Sequence, residues 1–190
     1  MTDPSVSYVR AIAPDAENRE KDDFYPTPPE GTRALLAVEK FDGAIWEPAC
    51  GDGAISKELI AAGYGVESTD LVDRGYGAAG VDFLMEWQHR APNIVTNPPF
   101  KLAEEFARQA LALTTGKVAL LCRLAWLEGR ERKKLFESTP LARVWVFSGR
   151  LTMLRGGWDG GKGGGSMTPF AWFVWERGHK GPPTLGWINP

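Results

Sequence analysis

A short apolar run with β-branched residues, Asn93-Ile94-Val95-Thr96, passes directly into Asn97-Pro98-Pro99-Phe100. Residues 101–113 then carry Leu102, Phe106, Ala110 and Leu113 at helical spacing. That order puts the tetrapeptide at the carboxyl end of a buried strand in an α/β unit, the edge at which open sheets bind ligands. Pro98 and Pro99 donate no backbone hydrogen bond and hold the chain extended, which leaves the Pro98 carbonyl free to face a ligand. The Asn97 side chain offers a second carbonyl oxygen. Two acceptors fixed side by side suit the gripping of both hydrogens of an amino group, and Phe100 supplies a flat face beside them. Asn-Pro and Pro-Pro are also ordinary loop punctuation, so the tetrapeptide alone does not choose between a site and a turn.

The rest of the chain builds the same kind of fold. Short strands are expected at 44–47, 65–70, 81–84, 93–96, 118–121, 143–147 and 170–175, and helices at 28–40, 54–62, 101–113 and 129–137. Strands alternating with helices predict a mostly parallel seven-stranded sheet with helices on both faces. Residues 1–23 read as a flexible polar arm, 24–177 as the single domain, and 178–190 as an irregular Pro/Gly-rich tail. Within the domain, 156–165 is glycine-rich with Trp158 and Lys162 embedded, the pattern of a mobile loop.

The 190 residues suffice for one full core. No apolar run nears the roughly 20 residues that span a bilayer. The polar, acid-bearing first residues do not resemble a targeting peptide. Cys50 and Cys122 form neither a disulfide framework nor a metal-ligand spacing, so the expectation is a cytoplasmic protein without a metal. The net charge of −2 is unevenly spread: residues 1–60 hold 12 acids and 6 bases, residues 123–162 hold 9 bases and 4 acids. That asymmetry points to a polyanionic partner. A solvated helix is the plainer account of Arg130, Arg132, Lys133 and Lys134, which interleave with Glu128 and Glu131.

Gly51-Asp52-Gly53, between a strand and a helix, invites a dinucleotide reading, but Ser56 stands where the third glycine belongs. Charge argues more strongly. Glu47, Asp52, Asp70 and Asp82 all fall at or near the carboxyl ends of the first three expected strands, and a pyrophosphate site wants no excess of acids. Four acids suit a ligand with an ammonium, a sulfonium, ribose hydroxyls and an adenine amine but no phosphate, which describes S-adenosylmethionine.

Over roughly residues 24–177 the chain resembles the class I S-adenosylmethionine-dependent amino-methyltransferases, which have a Rossmann-like fold, and specifically the phage-type DNA adenine methyltransferases. The resemblance rests on Tyr25-Pro26-Thr27-Pro28, on Glu47-Pro48-Ala49-Cys50-Gly51-Asp52-Gly53, on Asn97-Pro98-Pro99-Phe100, and on Arg123-Leu124-Ala125-Trp126-Leu127-Glu128-Gly129-Arg130. It implies that Tyr25 and Thr27 belong to the cofactor site, with Thr27 helping to hold the methionine carboxylate. Glu47 and the turn Ala49, Cys50, Gly51, Asp52, Gly53 would line the methionine end. Asp70 would bind the ribose hydroxyls, and Asp82 and Phe83 the cofactor adenine. Asn97, Pro98, Pro99 and Phe100 would form the catalytic segment, acting on an adenine flipped out of duplex DNA.

Transfer of this kind needs positioning rather than a strong base, because the amine loses its proton after it is methylated. His89 and His179 accordingly sit in no catalytic motif. Arg123, Arg155, Trp158 and Lys162 are the expected nucleic-acid contacts. The chain has no room for the separate target-recognition domain of larger relatives and no nuclease-like extension, as expected of an orphan modification enzyme. Amino groups of structured RNA and protein glutamine amides are alternative substrates, since such segments serve them too; a silent nucleic-acid-binding module is a further reading.

Overall fold

The computed structural model describes residues 24–153 and 168–190. In chain order the elements are α1 (Pro29–Val38), β1 (Ile45–Glu47), α2 (Ala54–Ala61), β2 (Val66–Ser68), β3 (Asn93–Thr96), α3 (Ala103–Leu113), β4 (Lys117–Arg123), α4 (Arg130–Ser138), β5 (Leu141–Phe147), β6 (Phe170–Glu176) and β7 (Thr184–Ile188). Single 3-10 turns lie at Phe83–Met85, Phe100–Leu102 and Leu124–Leu127. The strands form one seven-stranded sheet in the order β2-β1-β3-β4-β6-β5-β7.

Alternation along the central strands assigns each side chain to a face. Ile94, Val118, Leu120, Phe173 and Trp175 enter one core with Trp46, Phe106 and Leu135. Val95, Ala119, Leu121, Trp172 and Val174 enter the other with Leu35, Ile55 and Leu59. Helices α1 and α2 therefore cover one face and α3 and α4 the other. Both faces being covered explains why these strands read as nearly continuous apolar runs.

The expectation of a mostly parallel sheet is corrected: the sheet is mixed. β6 runs antiparallel to both β4 and β5, while the remaining pairings are parallel. Arg123 faces Phe170 and Val146 faces Ala171, so the chain leaves β5 and enters β6 at the same edge of the sheet. A connection of that kind needs no crossover helix.

Two further expectations fail. Residues 81–84 form no strand. The Asp82 carboxylate accepts from the Leu84 N–H at 3.0 Å and turns the chain into a 3-10 turn, while Phe83 drops into the core against Trp46 and Phe106. The tail is not irregular, since β7 adds an outer strand parallel to β5. Gly186 makes this possible, because a Cβ there would lie 2.2 Å from the Trp145 ring. Among the described residues, no helix is long and apolar enough to cross a membrane.

Candidate active site

The turn after β1 is built by two glycines with left-handed backbone. Gly51 has φ +55 and Gly53 φ +81. A Cβ on Gly51 would lie 2.4 Å from the Phe24 ring and one on Gly53 2.6 Å from the Tyr76 ring. Both glycines thus let an aromatic ring close against the turn. Asp70, just beyond β2, ties two loops together: Oδ2 accepts from the Gly51 N–H and Oδ1 from the Val72 N–H, each at 2.8 Å. Asp52 caps the start of α2, with Oδ1 accepting from the Ala54 N–H at 3.2 Å.

These loops and the segment after β3 enclose a cavity of about 480 Å³ at the carboxyl ends of β1, β2 and β3. Of the expected cofactor residues, Tyr25, Thr27, Glu47, Ala49, Cys50, Gly51, Asp52, Asp70, Asp82 and Phe83 all line it. Gly53 lies behind the wall as the N-cap of α2. Asn97 and Pro99 reach the same cavity from β3, whereas Pro98 is buried and Phe100 stands off the wall.

Asn97 is oriented by a residue 72 positions earlier. Its Nδ2 donates to the Tyr25 carbonyl at 2.9 Å. A carbonyl only accepts, so this bond fixes which end of the amide is which. The other end, Oδ1, is buried and has no hydrogen-bond partner among the described residues. Thr27, 2% exposed, likewise carries a buried hydroxyl with no partner on the cavity wall. Unmet buried groups are uncommon; of the six among the described residues, these two belong to cavity-lining residues, whereas those of Thr32, Thr96, Arg123 and His179 do not.

The carboxylates differ among themselves. Glu47 is buried, accepts from the Ser56 hydroxyl, and Ser56 Oγ lies 2.6 Å from Ser68 Oγ. Burial first, and then the negative charge of Asp52 and Asp70, holds its pKa well above the ordinary carboxylate value. Asp52, Asp70 and Asp82 form no ion pair with any described residue. The Cys50 thiol is pushed up to about 12 by burial and by the neighbouring Glu47 and Asp70 carboxylates, which keeps it a thiol. Among the described residues no cluster of His, Cys, Asp and Glu could hold a metal ion.

Phe100 is not the open stacking face expected of it. Its ring stacks on Tyr25 at 5.7 Å, tilts against Phe170 at 5.9 Å, and carries the Arg123 guanidinium at 4.5 Å. Much of the basic segment is also spent internally. Lys133 and Lys134 pair with Glu137 and Glu131 on α4, and Arg143 pairs with Glu39 and Glu176. For α4 this favours the plain solvated helix. Arg155, Trp158 and Lys162 lie outside the described residues. Sequence reasoning missed Phe24 and Arg74, which stack at 4.0 Å and line the cavity, and Lys101, Leu102 and Phe106 on the far wall. Phe24 was within reach, because it abuts Tyr25-Pro26-Thr27 and faces a glycine turn.

No sequence-family profile matches the chain, and no curated protein sequence is similar to it. Solved structures are similar. A proposed RNA methyltransferase from Pyrococcus horikoshii superposes with a TM-score of 0.64 at 12% identity, covering 84% of this chain and 90% of that one. The methyltransferase subunit of a type I restriction-modification system from Streptococcus thermophilus gives 0.61 at 13% identity, covering 87% of this chain and 47% of that one. This chain thus spans about half the length of that subunit. Magnesium protoporphyrin IX methyltransferase from Synechocystis, solved with S-adenosylmethionine bound, gives 0.53 at 14% identity, covering 77% and 76%. The chain has the α/β Rossmann-like fold that these methyltransferases share.

Proposed function

We propose that the chain is an S-adenosylmethionine-dependent methyltransferase that modifies the exocyclic amino group of adenine in DNA, in the manner of the orphan phage-type enzymes. The observation that carries the reading is the buried, unpartnered Asn97 Oδ1, held at the lip of the cavity by the bond from Nδ2 to the Tyr25 carbonyl. An acceptor left unmet there suits an amino N–H.

The cavity fits the cofactor. Thr27 presents an unmatched hydroxyl to a carboxylate, while Asp52, Asp70 and Asp82 present acceptors and negative charge to hydroxyls, amines and cationic groups. The oxygens of Asp70 each have a lone pair beyond the backbone bond already made, so bracing the loop and accepting from a ribose are compatible. When bound, S-adenosylmethionine would supply an electrophilic methyl group, its S–C bond breaking as the new N–C bond forms and its sulfur leaving as a neutral thioether.

Asn97 does the rest by placement. Its Oδ1 accepts one N–H of the target amine, pins the nitrogen, and favours a pyramidal geometry with the lone pair turned toward the cavity. The same oxygen stabilises the positive charge that develops on nitrogen as the N–C bond forms. The proton then passes to water, and no side-chain base is required.

DNA is favoured over RNA by the phage-like 123–130 stretch, and the S. thermophilus neighbour is a restriction-modification subunit. The P. horikoshii neighbour is described as acting on RNA, so the substrate is tested directly. Methyl-labelled cofactor is offered with DNA, RNA and protein pools. The expected result is label in DNA, released as N6-methyladenine on digestion. Label confined to RNA or protein would move the assignment, and no transfer to any pool would remove it.

A further inference from the structure

We propose that Arg123 restricts the site to bases carried on a phosphodiester chain. The inference rests on the reading of Asn97 as the acceptor of the target amine. Arg123 ends β4, the strand beside β3, and its guanidinium lies over the Phe100 ring at 4.5 Å. Phe100 is three residues from Asn97, and Tyr25, whose carbonyl orients Asn97, stacks on the same ring at 5.7 Å. A base brought to Asn97 therefore meets a ring already covered, and the group covering it is a cation.

That cation is poorly provided for. Arg123 forms no ion pair or hydrogen bond with any described residue, and its Nε is buried without an acceptor. Two other half-buried guanidiniums are placed differently: Arg143 has Glu39 and Glu176, and Arg90 has Glu67 and Glu86. Among the described residues the Arg123 guanidinium has the attraction of the Phe100 ring face and no carboxylate. A phosphate next to an incoming base offers a charge-assisted, two-pronged bond that no described residue supplies. Exchanging ring for phosphate moves the guanidinium off Phe100 and clears the slot beside Asn97. A free nucleoside offers no such exchange and finds the slot shut. Arg123 is thus a specificity residue that couples the phosphate backbone to admission of the base.

The test uses the full chain and two duplexes identical except that one carries neutral methylphosphonate linkages on both sides of the target adenine. Single-turnover methyl transfer is measured for wild type, Arg123→Ala and Arg123→Lys. Wild type should lose at least about tenfold on the neutral-flanked duplex, the size of a lost charge-assisted contact. Arg123→Ala should treat the two duplexes alike within about twofold, and Arg123→Lys, which keeps the charge without the planar fork, should fall between. A wild-type ratio below twofold overturns the proposal, as does an Arg123→Ala ratio equal to that of wild type. If the wild type methylates neither duplex nor any other DNA, the Asn97 reading has failed and this one falls with it.

Discussion

Asn93 and Asn97 bracket β3, and the fold treats them in opposite ways. At the amino end, Asn93 is 1% exposed; its Nδ2 donates to the Asp42 and Ala44 carbonyls at 2.8 and 3.2 Å, and its Oδ1 accepts from the Lys117 N–H at 2.9 Å. At the carboxyl end, Asn97 has one end tied to Tyr25 and the other buried with no partner. Two glutamates repeat the contrast. Glu39, 2% exposed, is encircled at the amino edge by Lys117 at 2.8 Å, Trp145 Nε1 at 2.9 Å and Arg143. Burial pushes its pKa up, but the bonds from Arg143, Lys117 and Trp145 outweigh that and hold it below the ordinary carboxylate value. Glu47, 1% exposed at the carboxyl edge, accepts from the Ser56 hydroxyl, and burial with the charge of Asp52 and Asp70 raises its pKa well above the ordinary carboxylate value. At these positions the amino edge meets its buried polar side chains from within the protein, while the carboxyl edge leaves Asn97 Oδ1 without a partner among the described residues.

The largest expected effect comes from exchanging the two asparagines' fates. Asn97→Ala should lower single-turnover methyl transfer by at least about 100-fold, as loss of a preorganised polar group does, with little change in melting temperature. Asn93→Ala should spare the chemistry and cost about 1–3 kcal/mol of stability, because it removes three hydrogen bonds to the backbone of Asp42, Ala44 and Lys117. Equal losses of activity in the two variants would erase the distinction between the edges.

Next comes Glu39→Gln, expected to cost about 2–3 kcal/mol in denaturant unfolding near neutral pH. That is discounted from a fully buried pair because Lys117 and Arg143 keep about a fifth of their side-chain surface in water. The folded pKa is depressed, so this stability is present above the unfolded value and lost as pH falls through the folded one. A variant whose deficit persists unchanged into acid would show that the charge is not what matters.

Asp70→Ala should weaken S-adenosylmethionine binding by about 2 kcal/mol, roughly 30-fold by calorimetry, since charge-assisted bonds are lost. Affinity within about twofold of wild type would remove Asp70 from the cofactor site.

The smallest effect is expected from Glu47→Gln. Its folded pKa is raised, so the native state keeps a proton that the unfolded chain gives up, and wild-type stability falls as pH climbs from the unfolded value through the folded one. The glutamine variant escapes that loss and should gain on wild type as pH rises, with a difference under about 1 kcal/mol at mildly acidic pH. A pH-independent difference would contradict a raised pKa for Glu47.

Most of the carboxyl edge was legible in the sequence because it is built locally. Asn97 follows its strand without a gap, and the Glu47–Gly53 turn has its glycines at positions that only their conformation explains. What was not legible depends on distant contacts. The reversal of β6 follows from where the chain re-enters the sheet, which no periodicity reports. Residues 81–84 have strand-like composition, but the Asp82 side chain competes for the local backbone and wins. Pro182 and Pro183 just before β7 and Gly186 within it disguise a strand whose glycine seats Trp145. The cover over Phe100 comes from Tyr25, Arg123 and Phe170, residues from three separate parts of the chain.

The central claim, that the carboxyl edge is left incomplete for a cationic, phosphate-free nucleoside cofactor, is tested most directly by titrating the wild-type chain calorimetrically with S-adenosylmethionine and, in parallel, with NAD. The account predicts saturable one-site binding of S-adenosylmethionine and no measurable binding of NAD, whose pyrophosphate would meet the carboxylates of Asp52, Asp70 and Asp82. NAD binding as tightly as S-adenosylmethionine would contradict it.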